Sequence, residues 1–354
     1  MLEYIPQYIR KDFFQLIYHV TFRCNARCNF CFNWKDLNKN KKNELSLDEI
    51  NKISHSMPNF PWLLLSGGEP LLRDDLEGII GIFYVNNKIK HLTLPTNGLL
   101  PERIFNFTNN ILKKYKNLTI TISFSLDALN KEHDKMRGID GCYKKVIESY
   151  NSMISLRKNN PNLNLKFNTV ISNVNYKSLK KLINKVRMLK PDMHTIDFIR
   201  GNLKDKNIKL PPPEEIENII KIIKNNYDYY KGYSNIKKHS WIMPKISILL
   251  QKSYLDVFKE IIDNEKQVIP CFAYKTSLVL YPYGDSSFCE PLKGFANFRD
   301  YNYDYEKLIK SKQAKKQIEL IKNNGCYCYH PCYQYLNILF SPKKIVKEVI
   351  RNVF

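Results

Sequence analysis

The sequence predicts an α/β fold: an α/β barrel, or an open piece of one, followed by a small cysteine-rich C-terminal unit. Three observations predict it. Between residues 15 and 200 short apolar runs alternate six times with amphipathic or polar stretches, which implies parallel strands joined by right-handed crossovers. Six units are too few for a complete eight-fold barrel. Pro211-Pro212-Pro213 ends the alternation, and five of the nine cysteines fall beyond residue 270.

Taken in order, Leu16–Thr21, Trp62–Leu65, His91–Pro95, Thr119–Ser125, Leu165–Ile171 and Thr195–Ile199 read as strands. Between them Leu47–Ser56, Asp75–Asn86, Pro101–Lys114, Cys142–Lys158 and Tyr176–Leu189 read as helices. Glu214–Asn225 reads as a further helix, and residues 226–265 as a mixed helical connector. Short strands at Ser277–Tyr281 and Ser286–Cys289 then flank the turn Tyr283-Gly284-Asp285. Residues 302–323 read as helical, and Pro342–Phe354 as a basic amphipathic tail. The expected units are a barrel over 1–210, a helical connector over 211–267, the cysteine-rich unit over 268–340 and the tail over 341–354.

The chain has 354 residues, 44% of them hydrophobic, enough to bury a sizeable interior, which argues against a disordered chain. Net charge is +22, from 56 Lys and Arg against 34 Asp and Glu. The lysines are spread among Asn, Ile and Tyr along the whole length, so the charge by itself names no partner. Three cysteines stand before residue 32, five after residue 270, and Cys142 alone between them. An odd count in two groups does not make a secreted disulfide framework and suits a reducing cytoplasm. No signal-peptide core and no stretch of membrane-span length is evident, so a cytoplasmic protein is expected. Cys142, ahead of an amphipathic stretch, is expected to be packed.

The stretch Thr21 to Trp34 sets Cys24, Cys28 and Cys31 in a C-x3-C-x2-C pattern directly after the first strand. Three thiolates on one loop can hold three corners of a [4Fe–4S] cluster and leave one iron open. Structural zinc takes paired knuckles with a closed fourth position, and no such pair completes this loop. Just past the second strand lies Ser66-Gly67-Gly68-Glu69-Pro70, where glycines allow close backbone approach and a carboxylate can receive an amino group. Thr96-Asn97-Gly98 follows the third strand, and Ser125 and Asp127 end the fourth. Arg137 sits in the run His133–Gly138, and Asn168 lies in the fifth strand. Singly, each polar residue reads as a cap or turn group; together at one barrel edge they read as a pocket. Downstream, Cys271 and Cys289 enclose seventeen residues, and Cys326, Cys328 and Cys332 form C-x-C-x3-C. Those thiols suit either a zinc ribbon or an iron–sulfur cluster.

On these motifs the chain resembles the radical S-adenosylmethionine (SAM) superfamily, whose fold is a partial (β/α)6 TIM-like barrel. The resemblance implies that Cys24, Cys28 and Cys31 carry a [4Fe–4S] cluster whose open iron takes the amino and carboxylate groups of SAM. Gly67, Gly68 and Glu69 would hold the methionine end, and Arg137 would pair with its carboxylate. Ser125 and Asn168 would touch ribose or carboxylate, Asn97 and Asp127 would complete the strand-end set, and Phe30 would lie near the adenine. The glycine-rich motif usual after the fifth strand is not evident in Val170 to Val174. An electron from the reduced cluster then cleaves SAM to methionine and a 5′-deoxyadenosyl radical, which abstracts hydrogen from the substrate.

The later cysteines resemble the SPASM and twitch extensions of that superfamily, and five thiols suit the twitch type with one auxiliary [4Fe–4S] cluster. Cys271, Cys289 and two of the last three would close it, Cys328 and Cys332 ahead of Cys326. Such a cluster implies either ligation of the substrate or removal of a second electron, the latter an oxidation, of a small molecule or a peptide side chain, fed by a flavodoxin- or ferredoxin-type electron donor. Glu290, immediately after Cys289, would be the base, its carboxyl raised toward the working pH by the charged cluster. The plainer expectation for Glu290 is a surface pairing with lysine. Rival readings are a radical SAM enzyme acting on tRNA and a basic, metal-stabilised nucleic-acid-binding protein; nucleic acid is the less favoured partner.

Overall fold

The computed structural model describes residues 12–39, 43–230 and 243–341. Its first part runs β1 (Gln15–Thr21), α1 (Leu47–Ser56), β2 (Trp62–Gly67), α2 (Leu76–Asn86), β3 (His91–Thr96) and α3 (Pro101–Lys114). It continues β4 (Thr119–Ser125), α4 (Asn130–Arg137), α5 (Cys142–Asn159), β5 (Leu163–Ile171), α6 (Leu179–Leu189) and β6 (Met193–Phe198). Two long helices follow, α7 (Pro213–Tyr230) and α8 (Met243–Asn264), then the short α9 (Ala273–Thr276). The C-terminal part holds β7 (Ser277–Leu280), β8 (Asp285–Ser287), β9 (Ala296–Asn297), α10 (Tyr305–Ile309), α11 (Lys312–Lys322) and α12 (Pro331–Leu339).

The nine strands of the described residues form one sheet in the order β6-β5-β4-β3-β2-β1-β7-β8-β9. β1 to β6 pair in parallel, as a partial TIM barrel requires. β7 then adds to the free edge of β1, also in parallel, with Leu16 opposite Leu278. β8 and β9 continue antiparallel. The C-terminal strands therefore extend the barrel sheet, a join between residues some 260 positions apart that no local pattern announces.

Successive strand side chains point to opposite faces. The outward set, among them Leu16, Tyr18, Val20, Leu63, Leu65, Ile120, Ile122, Phe124, Leu165 and Phe167, is buried in one core with the helices. By alternation the inward set includes His19, Thr21, Ser66, Thr93, Ser123, Ser125, Lys166, Asn168, Thr195 and Asp197. Barrel interiors are ordinarily filled by branched apolar residues. Small and polar side chains here leave an interior that can take ligands.

Three elements differ from expectation. α4 falls where no element is expected from the sequence, since Asn-Lys-Glu-His-Asp-Lys gives it only a thin apolar stripe; it ends where Gly138 turns left-handed at φ 66°. Residues 302–323 form two helices, since Ser311 accepts from Ala314 N–H and starts α11 afresh. α12 begins at Pro331, a residue that reads as a breaker but fits the first helical turn. The tail Pro342–Phe354 lies outside the described residues.

Long-range bonds fasten the C-terminal part to the barrel. Arg299 grips Glu49 of α1 with two bonds of 2.7 and 3.1 Å. The Tyr329 hydroxyl donates to Ile199 O just past β6 at 3.0 Å, and the Gln15 amide donates to Cys332 O at 3.0 Å. Phe198 of β6 stacks on Phe258 of α8 with ring centroids 4.0 Å apart.

Candidate active site

The loop after β1 brings Cys24, Cys28 and Cys31 together and is held at several points. Asn38 brackets Cys24, accepting its N–H at 2.9 Å and donating to its carbonyl at 3.0 Å. Arg27 and Asn29 donate their N–H groups to Arg137 O and Met136 O at the end of α4. Burial pushes the Cys24 thiol up to about 11 and the Cys31 thiol up to about 12, and Cys28 adds to both. Left alone they stay protonated; bound iron would take them as thiolates, releasing the protons. The donor set therefore fits three corners of a cluster.

Gly67 and Gly68 serve this loop directly. Gly67 has φ +122°, and a Cβ there would stand 2.2 Å from Thr21 O; one on Gly68 would stand 2.1 Å from Arg23 O. Without side chains Gly68 N–H reaches Thr21 O at 2.8 Å and Glu69 N–H reaches Arg23 O at 2.9 Å. Glu69 is thereby buried beside the cysteines, 1% exposed. Its carboxylate accepts the Asn97 N–H at 2.7 Å, which ties the second strand end to the third. Asn97 in turn donates to Asn25 of the cysteine loop at 2.7 Å. Burial raises the Glu69 carboxyl to about 7, against the lowering pull of the Asn97 bond.

Ser125, Asn168 and Thr195 are cross-strand neighbours on the inward face. Asn168 accepts from the Thr195 hydroxyl at 2.6 Å. Asp127 and Arg137 are placed differently from expectation: the guanidinium binds the Asp127 carboxylate, Nε to Oδ2 at 2.7 Å and Nη2 to Oδ2 at 2.5 Å. Arg137 also reaches Cys28 Sγ at 3.7 Å and lies 5.2 Å from the Phe30 ring. Asp127 takes Val170 N–H on its other oxygen at 2.9 Å. With Asp127 fully buried and Arg137 8% exposed, Asp127→Asn should strand a buried cation and cost about 3 kcal/mol or more, read by urea unfolding. Cys142 is buried as expected, its sulfur 3.5 Å from His133 Nε2.

The five later thiols converge from both ends of the C-terminal part. Cys271, Cys289, Cys328 and Cys332 share one apolar cluster with Ile17, Val279 and Tyr333. Cys326 packs on the neighbouring core beside Cys271, and Cys271 and Cys326 both raise Cys328. Burial pushes the Cys328 and Cys332 thiols up to about 12. Among the described residues no three His, Cys, Asp or Glu side chains are gathered tightly enough for one metal ion. A cuboidal cluster interposes several irons between its thiolates and spaces them more widely than a lone zinc does.

Glu290 departs from both expectations. Among the described residues it pairs with no lysine but lies between two histidines, 2.9 Å from His19 Nε2 and 2.6 Å from His330 Nε2, with 7% of its side chain exposed. The Tyr333 hydroxyl accepts its backbone N–H at 2.8 Å. Burial pushes the carboxyl up, but His330 and the His19 hydrogen bond outweigh it and hold Glu290 well below the usual carboxylate range. The expected rise is thus overturned by two neighbours that the sequence keeps 271 and 40 positions away.

A cavity of about 620 Å³ lies between the end of the first cysteine loop and Cys328. Phe32 and Asn33 of the first loop form one side; Glu290, Cys328 and His330 form the other, with Arg200 and Tyr281 between. Concave sites with a few convergent polar groups are where small ligands bind.

Comparison with known proteins agrees with this geometry. Residues 18–186 match the profile described as the radical SAM superfamily. The chain carries a radical SAM domain. That domain spans β1 to α6, and so contains the cysteine loop, Gly67-Gly68-Glu69 and the Asp127–Arg137 pair. A Methanocaldococcus jannaschii protein named probable GTP 3′,8-cyclase is 30% identical over 207 residues, 57% of this chain and 64% of that one. Fe-coproporphyrin III synthase of Methanosarcina barkeri is 31% identical over 136 residues, 37% of this chain and 32% of that one. The chain thus spans less than two thirds of either relative. The fold matches anSMEcpe solved with bound AdoMet at TM-score 0.59 and 15% identity, covering 96% of this chain and 97% of that one. It matches Streptococcus suis SuiB bound to S-adenosylmethionine at TM-score 0.58 and 16% identity, covering 86% and 68%.

Sequence reasoning missed His19, His330, Lys166, Asp197 and Arg200. The signal for His19, Lys166 and Asp197 lay in strand parity: each falls on the inward register of its strand, opposite to the apolar core positions.

Proposed function

We propose that the protein is a radical SAM oxidoreductase acting on a small-molecule or peptide substrate, with one auxiliary [4Fe–4S] cluster beside that substrate. The cavity that touches both the first cysteine loop and Cys328 carries this reading: a substrate held there lies between the two metal sites. When bound, the loop cluster and SAM supply an electron and a hydrogen-abstracting radical. Cys24, Cys28 and Cys31 would hold that cluster, and Gly67, Gly68, Glu69 and Asn97 the methionine end of SAM. Ser125 and Asn168 face the same interior and would orient the ribose or carboxylate. Arg137, neutralised by Asp127, would set the electrostatics at Cys28 and hold Phe30 in place. Cys271, Cys289 and two of Cys326, Cys328 and Cys332 would hold the auxiliary cluster, and Glu290 would accept a proton from the oxidised substrate. The names of the relatives span a nucleotide cyclase and a porphyrin synthase, and related structures were solved with peptides bound, which supports both substrate classes. A flavodoxin- or ferredoxin-type protein would supply the electron. Among the described residues no helix is long and apolar enough to cross a membrane.

Anaerobic reconstitution tests the reading. About eight irons per chain and reductant-dependent 5′-deoxyadenosine are expected; about four irons with one zinc would make the C-terminal thiols a zinc ribbon.

Glu69 adds a pH dependence. Its folded pKa of about 7 lies above the ordinary 4.5, so the ligand-free protein keeps that proton more tightly folded than unfolded. This stabilisation is present below pH 4.5 and is lost as pH rises through about 7. A ligand ammonium beside Glu69 favours the ionised form. SAM affinity should therefore rise as pH is taken from 6 to 8, by about tenfold, and Glu69→Gln should flatten the profile in equilibrium dialysis.

A further inference from the structure

Among the described residues, three charged side chains of the barrel close no ion pair. Asp197, on the inward register of β6, is 9% exposed, and among the described residues its carboxylate makes no hydrogen bond or ion pair. Lys166 faces the same interior from β5, two positions before Asn168, and its ammonium is likewise unpaired among the described residues. Arg200 stands two residues beyond β6, its Nε buried without a hydrogen-bond partner and its guanidinium 5.5 Å from the Phe32 ring. Arg200 also lines both the cavity between the cysteine groups and a neighbouring one of about 770 Å³. Asp197 is the common electrostatic neighbour of both cations.

Such an arrangement is costly in an empty protein. A charge withdrawn from water and held without a closed ion pair or hydrogen bond is destabilising. Asp197 acts electrostatically on both cations, yet no ion pair closes among the described residues. Nearby Glu290 is already engaged by His19 and His330. The unpaired set carries two positive charges and one negative, so a ligand that satisfies all three is anionic and also brings a hydrogen-bond donor. Guanidinium and ammonium are the usual partners of carboxylate and phosphate oxygens.

We propose that Lys166, Asp197 and Arg200 are the charge-recognition site for the substrate. Lys166 and Arg200 take an anionic oxygen group, carboxylate or phosphate, while Asp197 accepts from a hydroxyl or amine next to it. This rests on the reading of the barrel interior as the substrate pocket, and it adds that a neutral substrate is rejected.

Binding is read by calorimetry on the reconstituted, SAM-loaded, oxidised protein, with inorganic phosphate and acetate as separate probes at ionic strength fixed with chloride. Saturable binding of one of them is expected, and which one distinguishes phosphate from carboxylate. Lys166→Met and Arg200→Met should each weaken it about tenfold or more. Lys307→Met, whose ammonium sits at the surface 3.3 Å from Asp304, should leave it unchanged. Asp197→Asn removes a like charge and should tighten anion binding a few-fold, a gain that a damaged fold does not produce. No saturable binding of either probe, or equal binding in the lysine, arginine and aspartate variants, overturns the proposal. Wild-type SAM cleavage is measured in parallel under reductant. Normal cleavage without anion binding removes this inference alone, whereas anion binding without cleavage removes the radical reading and leaves the charge site standing.

Discussion

Replacing Cys24, Cys28 and Cys31 together by alanine is expected to abolish reductive SAM cleavage and to leave roughly half the iron. The loss should be complete rather than graded, because the three thiols are the loop's only soft donors. The fold should survive, since the loop is fixed by backbone bonds that alanine keeps: Gly68 N–H to Thr21 O, Glu69 N–H to Arg23 O and Arg27 N–H to Arg137 O. Removing the Cys24 and Cys31 thiols, both raised by desolvation, also takes away groups that gain nothing from the apo fold. The residual iron is expected on the C-terminal thiols, whose apolar cluster the substitutions do not touch. Two measurements decide it, iron per chain and 5′-deoxyadenosine formed under reductant. Persistent 5′-deoxyadenosine in the triple variant would show that SAM cleavage is supported elsewhere.

Most of the barrel was legible because its signals are local. Six apolar runs of strand length separated by helical stretches fix the element order, and thiol spacing within eight residues fixes the metal loop. The glycine pair was legible as a motif but not in its physical role: it lets β2 close on the loop backbone, at distances where any Cβ collides. What escaped is long-range. The pairing of β7 with β1 spans the whole chain, and Glu290 meets His19 only because that join carries the C-terminal part across the barrel mouth. Arg137 was assigned to a ligand because Asp127, ten residues earlier, read as a strand-end group and not as its counter-ion. Charged residues on inward strand registers went unweighed, because lysine in a basic chain carries little information by itself.

Glu290→Gln is expected to keep the iron content of both sites and to lower the ratio of oxidised product to 5′-deoxyadenosine by about a hundredfold or more. Wild-type Glu290 is ionised and flanked by His19 and His330, both within 3 Å of its oxygens. Its low proton affinity makes it a weak base alone. A histidine on each oxygen changes this: a proton delivered to one side can be passed to an imidazole, and the carboxylate holds both rings in place while they charge. Glutamine keeps the shape and one acceptor oxygen but presents an amide N–H to the second histidine and supplies no negative charge. Hydrogen abstraction precedes the need for a base, so cleavage should continue while product stalls. A structural role would look different: Glu290 ties His19 of β1 to the C-terminal part, so a variant that merely loosened that join would lower iron content, melting temperature and cleavage together. If product keeps pace with 5′-deoxyadenosine in the variant, the proton leaves by another route and Glu290 serves only to hold His19 and His330 at the cavity wall.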